Sequence, residues 1–499
     1  MAKYKQTEAS NGQGMFLSVN LKEQLMPGTL EYMLDMLIGS KIDVGVFDKN
    51  YKNDKTGAKA IPPRVLVKII IYGYSKGVKS SRALDEMCRN NIVAKALAED
   101  MQPHWTTIAE FISGNEECFK EIFIKALTYC NELGLVGGST FAVDGCRLPS
   151  NASIELTGTS EDLEKRLKMY RRMAEKHIAK HKRKDERGEV DEKTEKNYKK
   201  QQKKLNRRIE KISAFLENME VRTSTRKKEM KSNVTDNESA MIHSSSGYIQ
   251  GYIGMAVTDE ENQIIIDANA VGTANECEHL PETLDRTLEN MKKASIKKPK
   301  GKKLTLLADA NYFSEGNLKA CKEREVEAII PDGQYKKRLG DNKDKKYGPD
   351  DFSYNKRGDY YKCPNGKKLI YRRAFSLHDT DMKEYRASVK DCRGCPLIKK
   401  CINTKKEPSK MEHGRRLSVS PNSLYNLLRK KLNTLEYQDR YACRIQIIEP
   451  VFANIKTGKG LDRFMLRGRA KVNSQWQLYC ITHNLGKCLN GYNKREKIA

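Results

Sequence analysis

The sequence predicts an α/β fold: a mixed-sheet core with a helical N-terminal domain, an inserted helical hairpin and a small cysteine-rich insertion. Three observations carry that expectation. Apolar residues fall at helical spacing before residue 136, whereas β-branched runs of strand length follow Ser232. Between them Leu205, Ile209, Ile212, Leu216 and Met219 step at alternating four- and three-residue intervals, the seam of two packed helices. Four cysteines (Cys363, Cys392, Cys395 and Cys401) then gather ahead of the last helical stretch.

Each element has a local reason. In residues 1–135, Pro62-Pro63 starts a helix that runs through Val65, Ile69, Ile70 and Tyr72 and ends near Gly77. Ser80-Ser81 offers a cap, with Asp85 and Glu86 placed in the first turn. Thr107 and Glu110 fit a capping box before Phe111 and Ile112. Short helices with tight turns suit either a plain bundle or a helix-turn-helix DNA reader. Residues 136–157 hold a first strand, Thr140–Val143, ending at Asp144. Residues 158–232 form the hairpin, with Leu163, Leu167, Tyr170 and Ala174 facing the seam and Gly188 at the turn. In residues 233–340, strands Tyr248–Val257 and Gln263–Val271 join through Asp259–Asn262, a helix follows over Glu276–Met291, then strand Leu304–Ala308, helix Ser314–Arg324 and strand Glu327–Pro331. That order of elements is the one expected for an RNase H-like core. Residues 341–410 bear the cysteines, and 411–499 read as helices, with Trp476 and His483 as core.

Composition limits the function. Lys and Arg number 93 against 65 Asp and Glu, giving a net charge of +28. A surplus of that size points to a polyanion, most simply nucleic acid. It is uneven: residues 1–160 balance 18 basic and 18 acidic side chains, 161–232 hold 25 against 14, and 411–499 hold 17 against 6. The last two regions are therefore expected to hold the phosphate backbone. The best apolar run, Val65–Tyr74, contains Lys68 and is far shorter than the ~20 residues of a membrane span. Met1–Leu25 lacks the apolar segment of a secretory signal, and 13 scattered cysteines suit reduced thiols, so a cytoplasmic protein is expected.

Two acids share one setting. Asp144 ends Phe141-Ala142-Val143, and Asp309 ends Leu306-Leu307-Ala308. On neighbouring strands these carboxylates would lie within a few ångströms, an arrangement that suits a shared divalent cation such as Mg²⁺ or Mn²⁺. Alone, each is an ordinary strand-end residue. In the basic C-terminal stretch, Glu449 and Lys456 are seven apart and face the same way on a continuous helix. Asp236, Asp267 and Asp332 are alternative acids. Arg463, Arg467 and Arg469 form a basic segment suited to phosphate, and the Lys292–Lys303 stretch is an alternative or a solvated linker.

These residues resemble the DDE transposases of bacterial insertion sequences. The resemblance rests on the Pro62–Phe111 region, on Val143-Asp144-Gly145 with Ser150-Asn151-Ala152, on Ala308–Tyr312, and on Ile448–Lys456 with Arg463-Phe464 and Arg467-Gly468. The family's Tyr-x2-Arg-x3-Glu-x6-Lys signature maps onto Tyr441, Arg444, Glu449 and Lys456. One extra residue separates Arg444 from Glu449, which on a regular helix turns them roughly 140° apart. Pro450 also disfavours helix at Glu449, and Asn311 stands where relatives commonly have Gly.

The resemblance implies a catalytic triad of Asp144, Asp309 and Glu449 holding two Mg²⁺ (or Mn²⁺) ions. It also implies DNA or phosphate contacts from Tyr441, Arg444, Lys456, Arg463, Arg467 and Arg469. Cys363, Cys392, Cys395 and Cys401 match an insertion before the Glu in a subgroup of the family, and four thiolates suit a structural Zn²⁺. Implied partners are double-stranded DNA, as terminal inverted repeats and target, and a second copy in a synaptic homodimer, with no membrane. The implied location is the bacterial cytoplasm, on the nucleoid when DNA is bound. The alternatives are an RNase H-like nuclease without strand transfer and a non-catalytic DNA-binding remnant.

Overall fold

The β-branched runs after Ser232 join the first strand in one mixed sheet. In chain order the strands are β1 (Thr140–Pro149), β2 (Thr157–Gly158), β3 (Ser232–Asn233), β4 (Ala240–Ser244), β5 (Gly247–Asp259), β6 (Ile265–Val271), β7 (Thr305–Leu307) and β8 (Glu327–Ile329). The computed structural model describes residues 20–51, 59–219, 221, 223, 228–244, 247–333, 335–336, 346–377, 380–402, 407, 410–419 and 424–496. Most of the Met1–Leu25 segment, residues 1–19, lies outside the described residues.

β5 is antiparallel to β1, β4 and β6, while β1, β7 and β8 run parallel. The sheet order is β4-β5-β1-β7-β8, with β6 also on β5. This is an RNase H-like α/β core. β1 does not stop at Asp144: it pairs with β5 from Phe141↔Asp259 to Pro149↔Gly251, so Asp144 lies mid-strand. β5 is long enough to carry β1 past the point where β7 ends.

The free edge of β6 is closed by the C-terminal helix Arg469–Glu496. Asn473 Oδ1 accepts from the Ala270 amide at 2.9 Å, and Asn484 exchanges two 2.9 Å bonds with Ile265. Gln477 Nε2 donates to the Ala268 carbonyl at 3.2 Å. These buried amides satisfy backbone groups that an edge strand otherwise exposes. Trp476 on the same helix is fully buried and donates from Nε1 to the Met255 carbonyl at 2.9 Å.

The N-terminal helices share this core. Helix Pro63–Ser75 is buried from Val65 through Tyr74, and Tyr74 stacks on Tyr479 with ring centres 4.3 Å apart. Lys68, inside that apolar run, ion-pairs with Asp35 (2.8 Å) and Glu99 (3.1 Å). No helix among the described residues is long and apolar enough to cross a membrane.

Two local readings need correction. Asp85 is not in a first turn poised on the helix dipole. It is buried, pairs with Arg89 and accepts from the Trp105 amide at 3.3 Å. That bond helps fix an earlier helix start, Trp105–Gly114 with His104 as its cap, so Thr107 lies inside the helix and no capping box forms there.

The hairpin is helices Ser160–Asp185 and Glu192–Asn218, clamped at its base by β2 and β3. Thr159 and Asp162 make a capping box, and Gly188 turns the chain at φ +67°. Leu163, Leu167, Tyr170 and Ile212 are buried in its own small core, with Leu205, Ile209 and Leu216 packed against them. Farther out the arms meet through polar rings: Tyr198 stacks on His181 at 3.7 Å.

The cysteine-bearing insertion is a five-stranded antiparallel sheet that the sequence did not announce. Its strands are β9 (Ser353–Asn355), β10 (Tyr360–Lys362), β11 (Lys368–Leu377), β12 (Thr380–Ala387) and β13 (Arg416–Val419), ordered β13-β12-β11-β10-β9. Tyr361, Leu369, Tyr385, Leu417 and Val419 form its separate core.

Packing at β5 gives a test. A Cβ on Gly254 would stand 2.8–2.9 Å from the Trp476 indole. The ring is fully buried and held by its hydrogen bond to the Met255 carbonyl, beside Gly254. Gly254→Ala is expected to cost about 1–3 kcal/mol, read as a fall of several degrees in Tm. An unchanged melt would show that the indole shifts freely.

Candidate active site

The parallel register of β1 and β7 builds the centre of the site. Ala142 pairs with Leu307, so two residues farther along each strand stand Asp144 and Asp309 at the same level. Adjacent strands lie ~4.8 Å apart. Asp309 leaves β7 as the cap of a short 3-10 turn, Ala310–Tyr312, accepting from the Asn311 amide and side chain, each at 2.9 Å. Asn311, which departs from the family pattern, thus holds the Asp309 carboxylate. Burial pushes the Asp309 carboxyl above its usual range, and the Asp144 charge adds to the shift.

Helix Leu435–Ala453 crosses β1 and brings the third acid. Arg444 is buried; its Nη1 donates to Asp144 Oδ2 at 2.9 Å, and its Nη2 lies 3.9 Å from Glu449 Oε1. The helical angle between residues 444 and 449 is therefore bridged by the length of the arginine. Glu449 remains 54% exposed, open to solvent at the rim. Tyr441 packs edge-on against Tyr335 at 5.5 Å.

Pro450 does not end the helix. Proline lacks the amide that would bond the Gln446 carbonyl, and Gln263 Nε2 donates to that carbonyl at 2.8 Å instead. A π turn follows at Asn454–Gly458 and carries Lys456. Lys456 and Glu449 both act electrostatically on the buried Cys146 thiol of β1, two residues along the strand from Asp144. His483 supports this corner, with Nε2 donating to the Gln263 carbonyl at 2.9 Å. Burial pushes its imidazole down to about 4, which keeps it neutral.

Two of the other basic candidates bind backbone carbonyls. Arg463 donates to the Ser150 carbonyl at 3.0 Å, and Arg467 to the Asn151 carbonyl. The Arg469 amide donates to Glu238 at 3.0 Å, while its side chain is exposed. These contacts tie the 463–469 loop to the end of β1. The alternative acids have structural partners: Asp236 accepts from the Tyr252 hydroxyl (2.7 Å), Asp267 pairs with Arg286 (3.0 Å) and Asp332 with Arg429 (3.0 Å).

One acid escaped the sequence reading. Glu276 precedes the turn Cys277–His279 and is only 3% exposed. Its Oε1 pairs with Arg147 at 3.1 Å, and its Oε2 is buried without a hydrogen-bond partner among the described residues. A Cβ on Gly145 would meet that oxygen at 2.2 Å, so glycine is what lets Glu276 reach the strand beside Asp144. Burial, then the charges of Asp144 and Asp309, push its carboxyl up to about 7.

Among the described residues no three His, Cys, Asp or Glu side chains are drawn together closely enough to hold a metal ion. The donors nonetheless suit a hard cation: crowded carboxylates with raised affinity for protons, one orphaned buried oxygen, and a guanidinium as the present counter-charge. In the insertion, Cys363, Cys392, Cys395 and Cys401 line one cavity of about 20 Å³. The Arg415 amide donates to Cys392 Sγ at 3.4 Å, and Asn365 to Cys395 Sγ at 3.6 Å. Burial raises the Cys392 and Cys401 thiols, and the neighbouring sulfurs raise them further.

Two family models match the chain. Residues 362–489 match the model described as a transposase DDE domain, and residues 19–114 match one described as a transposase domain (DUF772). No curated protein matches. The two matches indicate an insertion-sequence transposase of the DDE type, and transposases act on DNA.

The titration of Glu276 is testable. An acid whose folded pKa is raised loses stability as pH climbs from its unfolded value of ~4.3 through about 7. The group therefore opposes folding only slightly at pH 5 and most at pH 8, where the penalty is larger by about 3 kcal/mol. Urea melts of Glu276→Gln and the parent at both pH values should show the variant gaining relative stability at pH 8. Equal differences at the two pH values would refute the assignment.

Proposed function

We propose that this DDE-type transposase binds the terminal inverted repeats of an insertion sequence, cleaves DNA at the element ends and joins the exposed 3′-hydroxyls to target DNA. The observation that carries the reading is the convergence of Asp144, Asp309 and the Arg444–Glu449 pair at the open end of a mixed sheet, on a chain with a surplus of +28 charges.

Asp144, Asp309 and Glu449 would hold two Mg²⁺ or Mn²⁺ ions. When bound, such ions supply activation of the attacking oxygen and stabilisation of the leaving one in an in-line displacement at phosphorus. The chain's own residues do the remaining work. Asn311 orients Asp309. Arg444 neutralises Asp144 and lies 3.9 Å from Glu449, linking the two acids electrostatically. Lys456 is exposed on the π turn over β1, where an ammonium can hold a phosphate oxygen. Tyr441 on the preceding helix and Arg463, Arg467 and Arg469 in the segment that follows would add contacts to the DNA backbone.

Two reactions then share one geometry. In the first, water attacks the phosphodiester at the element end, the bond to the 3′ oxygen breaks, and that oxygen leaves as a hydroxyl. In the second, this hydroxyl attacks a target phosphodiester, one bond forming as another breaks, so no external energy source is required. Two ends must meet for this, which implies a homodimer in the synaptic complex. The four thiols of the insertion are the right donor set for a structural Zn²⁺ and would hold their sheet's helices in place.

Asp309→Ala should abolish Mg²⁺-dependent cleavage of an end-bearing duplex while retaining its binding in a gel-shift assay. Full cleavage by this variant would sink the triad. Purified protein should carry close to one zinc per chain by elemental analysis, because a tight four-thiolate site stays loaded. Less than roughly a tenth of an equivalent rejects the zinc site.

A further inference from the structure

The insertion sheet has two unlike faces. One packs Tyr361, Leu369, Tyr385 and Leu417 against the short helices Val389–Arg393 and Ile398–Cys401, around the cysteine cavity. The other follows from strand alternation and register. Tyr360 pairs with Ile370, Ile370 with Arg386, and Arg386 with Arg416, giving one row across four strands. Lys362 and Lys368 form the next pair on that face. Beyond the bulge in β11, Arg373 pairs with Glu384.

This outer face is open and basic. Lys362, Lys368, Ile370, Arg373 and Arg416 are exposed, and Ile370 keeps 48% of its surface in water. Glu384, at 3% exposure, lies beneath Arg373 and Arg386 and ion-pairs with both. One acid therefore offsets five cations. Arg386 and Arg416 stand directly opposite each other, an arrangement of like charges that costs a sheet stability. The whole segment 346–419 holds 19 basic against 9 acidic side chains, net +10. That surplus was hidden in the sequence by the nearly balanced residues that precede it.

We infer that this face is a docking surface for duplex DNA, held through its phosphates without regard to sequence. The inference rests on the reading of the chain as a DNA-processing enzyme but concerns a surface apart from the triad. Charge complementarity selects the partner: five cations on one face, with Lys362–Lys368 and Arg386–Arg416 opposite each other on strands ~4.8 Å apart, match a rod carrying one charge per ~1.7 Å of axis. The mode of binding follows from the breadth of the face. The row runs from Asn355 through Tyr360, Ile370 and Arg386 to Arg416 across five strands, wider at ~4.8 Å per strand than the ~12 Å major groove, so its Lys and Arg side chains meet phosphates and not base edges. Such a surface would grip flanking or target DNA while the core engages the cleavage point.

The test is fluorescence-anisotropy binding of the full-length triple variant Lys362→Gln, Lys368→Gln, Arg416→Gln across a salt series. Arg386 is left intact because its loss would strip Glu384 of a partner. The probes are an end-bearing duplex, a scrambled duplex of equal length and a single strand of that length. The slope of log affinity against log salt should fall by about 2 to 3 for both duplexes, at ~0.9 per lost phosphate contact. The thermal melt should be unchanged. Should the triple variant melt early, Arg416→Gln alone should lower the slope by about 1. An unchanged slope on both duplexes overturns the surface, as does a loss confined to the end-bearing duplex or to the single strand. Failure of the parent protein to bind any duplex would instead overturn the underlying reading of function.

Discussion

The parallel pairing of β1 with β7 is the constraint on which the site depends. It sets Asp144 and Asp309 side by side, in register, where β7 ends and β1 runs on along β5. Two partly buried carboxylates at that spacing repel, and the repulsion must be met by something. In this structure three things meet it: the Arg444 guanidinium on Asp144, the Asn311 donors on Asp309, and raised proton affinity at Asp309 and Glu276. None removes the excess of negative charge. A fold that keeps such a cluster concentrates negative charge at one point of a chain whose net charge is +28.

The rest of the molecule can be understood as support for that strained centre. The long β5 anchors β1 beyond the end of β7, leaving the β1 edge accessible just where Asp144 stands. The C-terminal helix closes the opposite margin of the sheet with Asn473, Gln477 and Asn484, so the exposed-edge problem is solved by side chains. Because the same helix stacks Tyr479 on Tyr74, the N-terminal helices brace the sheet as well. The matched transposase segments, 19–114 and 362–489, contribute from opposite ends of the chain to one hydrophobic core.

Legibility in the sequence followed how local each signal was. Asp144 and Asp309 were visible because each closes an apolar strand-length run. The hairpin was visible because its seam repeats and Gly188 marks its turn. Glu276 was not, since it lies before a helix and reaches the site only because Gly145, on another element, has no side chain. The capping box at Thr107 failed for a similar reason: a distant Asp85 accepts the Trp105 amide and moves the helix start. The insertion sheet was hidden because its core residues are isolated between charged neighbours on strands as short as three residues.

The departure around Glu449 shows how a sequence irregularity can be absorbed physically. Counting residues along a regular helix turns Arg444 away from Glu449, and Pro450 argues against a helix there at all. The structure keeps the helix because Gln263, from the turn before β6, supplies the hydrogen bond that proline withholds. Gln263 adopts a left-handed backbone (φ +60°), and its carbonyl is held by the neutral His483, so the compensating residue is itself fixed from the C-terminal helix. The following π turn takes up more residues per turn than an α-helix and shifts the register of Lys456, whose charge still reaches Cys146 of β1. Arginine length then closes the remaining angle to Asp144. The spacing that a motif prescribes on an ideal helix is thus one of several solutions. What the site requires is that an acid and a cation end over the same strand, and here a proline, a glutamine and a π turn together achieve it.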